Sequence, residues 1–135
     1  MTKYALDTDT LSYYLKGNQS IIDRISNETD YGNFMIIPPM VFFEVKRWLL
    51  AVNSTKKLAI FETMCSLSGI GFIDRDILEA ASVMFSDLRK KGITIGDNDI
   101  LISAYCLHHD FTLITNNEKH FRRIPGLKIE NWLQP

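Results

Sequence analysis

Tyr4-Ala5-Leu6-Asp7-Thr8-Asp9-Thr10-Leu11-Ser12-Tyr13-Tyr14-Leu15 contains the first change of period in the chain. Tyr4, Ala5 and Leu6 form a short apolar run that reads as a strand. Leu11, Tyr14 and Leu15 then recur at helical spacing until Gly17 stops them. The same alternation continues outward. Ile21, Ile22 and Ile25 predict a short helix, Phe34-Met35-Ile36-Ile37 a second strand, and Pro38-Pro39 the opening of a helix carrying Val41, Phe42, Val45 and Leu49. A helix after Ser54 presents Leu58, Phe61 and Met64, and Ile70-Gly71-Phe72-Ile73 predicts a third strand. Ile77, Ala81, Met84 and Leu88 make a helical stripe ended by Lys90, Lys91 and Gly92. Asp97 is expected to cap a helix through Ile100, Ala104 and Leu107. Phe111-Thr112-Leu113-Ile114 and Leu127-Lys128-Ile129 predict the last two strands. Short apolar strands alternating with helices imply an α/β fold of three α/β/α layers, with a central, mostly parallel sheet of four to five strands.

The composition narrows the class. With 135 residues, 46% hydrophobic and 23% charged, the chain fits one domain, residues 1–135, and can bury a real core. No apolar run approaches the ~18 residues of a membrane span, because Pro38-Pro39 and Glu44 interrupt the greasiest stretch. Asp7 arrives too early for a signal-peptide core. Cys65 and Cys106 make neither a disulfide framework nor a zinc pattern, so a reducing cytoplasm is expected. Asn18, Asn27 and Asn53 begin chance glycosylation sequons and are expected to be helix caps. The net charge of -1 leaves any nucleic-acid partner to the placement of charges.

Acids recur where ligands bind in such folds, at the carboxyl ends of strands. Asp7 and Asp9 follow the first strand, Glu44 lies one turn into the helix after the second, and Asp97 and Asp99 open the helix before the fourth, which Asn116 and Asn117 follow. Clustered carboxylates repel one another unless a cation intervenes. Oxygen donors without paired thiols or imidazoles favour Mg²⁺ or Mn²⁺, which polarise a phosphate and activate water. Metal-assisted phosphodiester hydrolysis is the chemistry this pattern suggests.

Each acid also has a plainer reading. Asp9 and Asp97 can be helix caps, and Asp97 points nearly opposite to Asp99 on one helix. Glu44 is harder to explain structurally, since Lys46 and Arg47 are badly spaced to pair with it inside an apolar helix. The basic clumps Lys46-Arg47, Lys56-Lys57, Arg89-Lys90-Lys91 and Arg122-Arg123 read as solvated faces, or as a polyanion-binding rim if they ring the acids. No catalytic triad surrounds His108, His109 or His120, and no nucleotide-binding loop occurs. Trp48, Trp132 and Tyr13-Tyr14 are expected in the core or an interface rather than as base-stacking platforms.

Tyr4 through Ser12 resembles the opening of PIN-domain ribonucleases. Glu44 matches their second acid, and Asn98-Asp99-Ile100-Leu101-Ile102-Ser103-Ala104 their third. Leu113-Ile114-Thr115-Asn116-Asn117, then Phe121, then Ile124-Pro125-Gly126-Leu127 and Ile129-Glu130-Asn131-Trp132, is similar to the ending of VapC toxins of bacterial toxin–antitoxin pairs. The resemblance runs along essentially the whole chain. It implies a Mg²⁺- or Mn²⁺-dependent endoribonuclease toxin acting on RNA, plausible targets including a tRNA anticodon loop, dimeric and inhibited by a cognate VapB-like antitoxin. By resemblance Asp7, Glu44 and Asp99 are the metal and catalytic acids, with Thr8 and Thr115 tuning the site through their hydroxyls and Asp9, Asp97, Asn116 and Asn117 in support.

The chain departs from the family pattern at Asp9, usually asparagine, at Asp97, commonly small or proline, at Asn117, often aspartate, and at His120, where an acid is typical. Three rivals follow. A degenerate PIN domain would bind RNA or antitoxin without cutting. Asp7-Thr8-Asp9-Thr10 also resembles the start of haloacid-dehalogenase-type phosphatases, with Asp7 as nucleophile and Asp9 as general acid. A phospho-receiver domain would use Asp74 after the third strand.

Overall fold

The computed structural model describes residues 1–133. Its first strand, β1 (Lys3–Leu6), buries Tyr4, Ala5 and Leu6 in succession. Neighbouring residues of a strand point to opposite faces, so three in a row can be buried only if helices cover both faces. Asp7 ends the strand and caps α1 (Thr8–Leu15). Asn18 caps α2 (Gln19–Asp30) through Ile21 N–H, and β2 (Phe34–Ile36) follows. Among the other two sequon asparagines, Asn27 lies within α2, and Asn53 takes a turn at positive φ after the next helix, so neither is a cap.

Pro39 begins α3 (Pro39–Ala51), where a missing N–H costs nothing. Then come α4 (Thr55–Ser68), α5 (Arg75–Lys90), capped by Asp74, and α6 (Asp97–His109). The chain closes with β3 (Thr112–Ile114), the short α7 (Glu118–Phe121) and β4 (Ile129–Glu130). No described helix is long and apolar enough to cross a membrane.

The four strands lie in the order β2-β1-β3-β4, and every pair is parallel. Ala5 is aligned with Ile36 on one side and Leu113 on the other. The expected parallel sheet is therefore present with four strands. The strand expected at Ile70–Ile73 reduces to one parallel bridge between Ile37 and Ile70. The reason is local. Ile37 exchanges its backbone bonds with Gly69 and Gly71, Phe72 is left exposed, and Gly71 packs so closely under Tyr105 that a Cβ there would collide with its hydroxyl.

Leu6, Leu11, Val41, Phe61, Ile77, Leu113 and Ile114 are fully buried and come from two strands and four helices. Each contributes roughly 1.5–3 kcal/mol by leaving water. From β1 the chain crosses to β2 on one side, and β3 later docks on the other. That reversal opens a crevice at the carboxyl ends of β1 and β3, the place where parallel sheets bind ligands.

Candidate active site

Asp7 lies at the mouth of this crevice. Its backbone N–H still donates to Ile114 O of β3 at 3.1 Å, and its Oδ1 accepts from Thr10 N–H at 2.9 Å. The cap stabilises α1 by about 1 kcal/mol and fixes the side chain where strand becomes helix. Only 4% of Asp7 is exposed. Burial pushes its carboxyl up to about 6, against the pull of hydrogen bonds from Thr115 and Thr10, and the neighbouring Asp9 pushes the same way.

Glu44 projects from α3, half-buried, and accepts from Asn98 Nδ2 of α6 at 3.2 Å. Burial raises its carboxyl, and the charge of Asp99 raises it further, while Arg47 draws it down. Neither neighbouring cation pairs with it: Lys46 bonds Glu62, and the Arg47 guanidinium lies 5.0 Å from the centre of the Phe43 ring. Asp99 stands in the first turn of α6, and His120 Nε2 meets its Oδ2 at 2.9 Å.

Asp7, Thr8, Asp9, Glu44, Asp99 and Asn117 line one cleft of about 230 Å³, together with Ile102 and Phe121. Four carboxylates from three distant segments share it, and no lysine or arginine is among the described lining residues. Thr8 Oγ1 is buried beside Glu44 without a well-formed hydrogen bond. An all-oxygen donor set, raised carboxyls and an unpartnered hydroxyl fit a hard divalent cation of the Mg²⁺ or Mn²⁺ kind.

The remaining expected site residues lie elsewhere. Thr115 is wholly buried beneath the cleft, bonded to Asp7 and accepting Asn117 N–H at 2.9 Å. Asn116 faces away, its Oδ1 accepting from Asn131 Nδ2 at 3.2 Å. Asp97 is not brought into the cleft. It is not the cap either, since Gly96 occupies that position, and it borders a separate groove with Phe85 and Leu101. Two residues along a helix turn the side chain roughly 200° away, which separates Asp97 from Asp99. Asp9, too, is in the first turn of α1 rather than at its cap.

Three partners were not anticipated. Asn98 holds Glu44, His120 holds Asp99, and Arg123 holds His120, donating from Nη2 to Nδ1 at 2.7 Å and from Nε to His120 O at 2.9 Å. The three-residue spacing of His120 and Arg123 was the available signal. A guanidinium only donates, so Nδ1 accepts and Nε2–H points at Asp99; the hydrogen-bond partners assign this tautomer. Asp74 and Asp76 bring carboxylate oxygens within 4.8 Å of a His108 ring nitrogen on an exposed surface. Asp74 caps α5 and follows no strand, which removes the receiver-domain rival.

The PIN domain model matches residues 4–127. The chain is 35% identical over 97 residues to Ribonuclease VapC1 of Rickettsia felis, covering 69% of this chain and 72% of that protein. It is 27% identical over 133 residues to the tRNA(fMet)-specific endonuclease VapC of Salmonella typhimurium, covering 98% and 99%. The solved structure of VapBC2 from Rickettsia felis bound to a fragment of its promoter DNA superposes with a TM-score of 0.87 at 29% identity, over 97% of this chain and 99% of that one. These relatives displace the phosphatase rival, which would leave Glu44 and the Asn131-Trp132 ending without a role. The chain belongs to the PIN-domain family, and within it to the VapC proteins.

Proposed function

We propose that the chain is an endoribonuclease toxin whose residues 1–135 work as one PIN domain in the cytoplasm. It hydrolyses RNA phosphodiester bonds with Mg²⁺ or Mn²⁺ and is held inactive by a VapB-like antitoxin. The convergence of Asp7, Glu44 and Asp99 on one cleft carries this reading. Burial of Asp7 and Glu44 makes their charges costly without a cation, and repulsion between Glu44 and Asp99 adds to that cost.

Asp7, Glu44 and Asp99 would hold the ion, with Asp9 and Asn117 at the rim. A bound divalent cation supplies charge to polarise the phosphate and acidify water. The protein supplies orientation. Thr10 N–H and the Thr115 hydroxyl fix Asp7, Asn98 fixes Glu44, and His120 fixes Asp99. Thr115 also ties the Asn117 backbone to the cleft floor. Preorganisation of this kind lets charge develop on the phosphate without moving the protein.

The tRNA(fMet) specificity carried in the name of the Salmonella typhimurium relative makes a tRNA the first substrate to try, and the antitoxin complexes of the relatives support the same kind of partner here. We infer a homodimer from the family alone. The decisive experiment incubates the purified, antitoxin-free chain with total tRNA in Mg²⁺, Mn²⁺ or EDTA, beside Asp7→Asn and Asp99→Asn. Discrete fragments that require metal and vanish in both variants are expected. RNA that binds but stays intact at millimolar Mn²⁺ would replace the nuclease with the non-cutting PIN domain.

A further inference from the structure

The acidic cleft does not end at Thr8 and Glu44. Both residues also line a second groove, between α1 and α3, that leads away from the acids. Thr8, Ser12 and Lys16 succeed one another at four-residue intervals along one wall, and Glu44, Trp48 and Val52 do so along the other. Eight residues at 1.5 Å each make the groove about 12 Å long. Lys57 of α4 stands at the far end with Lys16.

Its chemistry changes along this length. Glu44 is the one acid among the described lining residues, at the cleft end, and the two lysines lie at the other end. Among the described residues neither lysine forms an ion pair; Lys16 Nζ only approaches the Tyr13 ring at 5.6 Å. Trp48 is 65% exposed, against 3% for Trp132, so of these two expected core or interface residues only Trp132 lies in the core. The groove's volume of about 150 Å³ is well below the roughly 300–1,000 Å³ of a pocket that engulfs a small molecule. It suits one flat group lying against the indole.

We propose that this groove is an RNA subsite: a base next to the scissile phosphate stacks on Trp48, and Lys16 and Lys57 hold the phosphates that follow. An aromatic face beside unpaired cations is how proteins hold single-stranded nucleic acid with little dependence on sequence. The charge gradient favours a polyanion over an apolar peptide, since the far end offers two ammonium groups. The inference rests on the nuclease reading of the adjoining cleft, because it takes the scissile phosphate to lie there.

The test uses the full-length Asp7→Asn chain, titrated in Mg²⁺ with unfractionated tRNA and with hexa-adenylate while tryptophan emission is read. Quenching is expected, because Trp48 is the exposed indole. Read by the fluorescence anisotropy of end-labelled hexa-adenylate, since these variants lack the exposed indole, Trp48→Ala should raise Kd about 5- to 150-fold, the range of base–aromatic stacking, and Trp48→Phe should recover most of the loss. Lys16→Ala and Lys57→Ala should each lower the slope of log Kd against log salt by about 0.7. Unquenched emission with both RNAs, or a folded Trp48→Ala chain that binds like its parent, overturns the proposal. Quenching by purified antitoxin but by neither RNA also overturns it and gives the groove to a protein. Cleavage of tRNA by the wild-type chain is scored separately. Trp48-dependent binding without cleavage refutes the nuclease and leaves the subsite; cleavage without Trp48-dependent binding does the reverse.

Discussion

His120 Nε2 lies 2.9 Å from Asp99 Oδ2, and Arg123 occupies the other ring nitrogen. At a position where the family pattern leads one to expect an acid, this chain carries a hydrogen-bond donor to one of the acids. The contact fixes the Asp99 carboxylate of α6 from α7. Partners that orient a metal ligand in this way are commonly worth 10- to 100-fold in affinity or rate.

His120→Ala should therefore weaken Mn²⁺ binding by about 10- to 100-fold, measured by titration calorimetry, while thermal stability changes little. Imidazole ¹⁵N shifts of the parent should show the Nε2–H form, and Arg123→Ala should mix the tautomers. A parent chain whose His120 carries its proton on Nδ1 would contradict the Arg123–His120–Asp99 chain of bonds.

Asp7 makes the metal-free protein sensitive to pH. An unfolded aspartate ionises near 3.9, whereas burial holds the folded one at about 6. The folded state then binds the proton more tightly, so stability falls as pH rises from about 4 to about 6 and stays lower above that. Asparagine keeps the cap and removes the charge. In EDTA, Asp7→Asn should exceed the wild type by on the order of 1–3 kcal/mol at pH 7.5, and by about 0.5 kcal/mol or less at pH 4, in urea unfolding. Equal stability at both pH values would mean that Asp7 is not strained by burial.

Divalent cations should reverse that penalty. Mn²⁺ at about 100 times its Kd is expected to stabilise the wild type by roughly 2.7 kcal/mol. Glu44→Gln and Asp99→Asn should lose most of this gain, and Asp97→Asn should keep it, because Asp97 borders a different groove. Differential scanning fluorimetry with and without EDTA reads the pattern. An Asp97→Asn chain that loses the Mn²⁺ response would place the ion elsewhere.

Gly71→Ala should destabilise the fold by about 1–3 kcal/mol through overpacking, since the new methyl would collide with the Tyr105 hydroxyl. Its Mn²⁺ affinity should match the wild type, because Gly71 lines no part of the cleft. Denaturant midpoints and calorimetry separate the two effects.

The α/β class, the parallel sheet and the acids at strand ends were legible because each depends on short windows. Tyr4-Ala5-Leu6 is apolar on consecutive residues and so must be covered on both sides, and Asp7 follows it directly. The apparent strand at Ile70–Ile73 has the right composition, yet strands need partners, and only Ile37 is within reach of it. Asp97 and Asp99 look alike in a linear reading; the turn of α6 sends one into the cleft and the other away. His120 and Trp48 show the limit most clearly. Local sequence specifies that an imidazole follows the strand at Thr112–Ile114 and that an indole sits one turn beyond Glu44. That the first reaches Asp99 across 21 residues, and that the second is left uncovered beside two lysines, depends on how α1, α3, α6 and α7 pack. Periodicity acts through neighbouring residues and is written in the chain, whereas a hydrogen bond or a groove between distant segments exists only once burial has fixed the helices against one sheet.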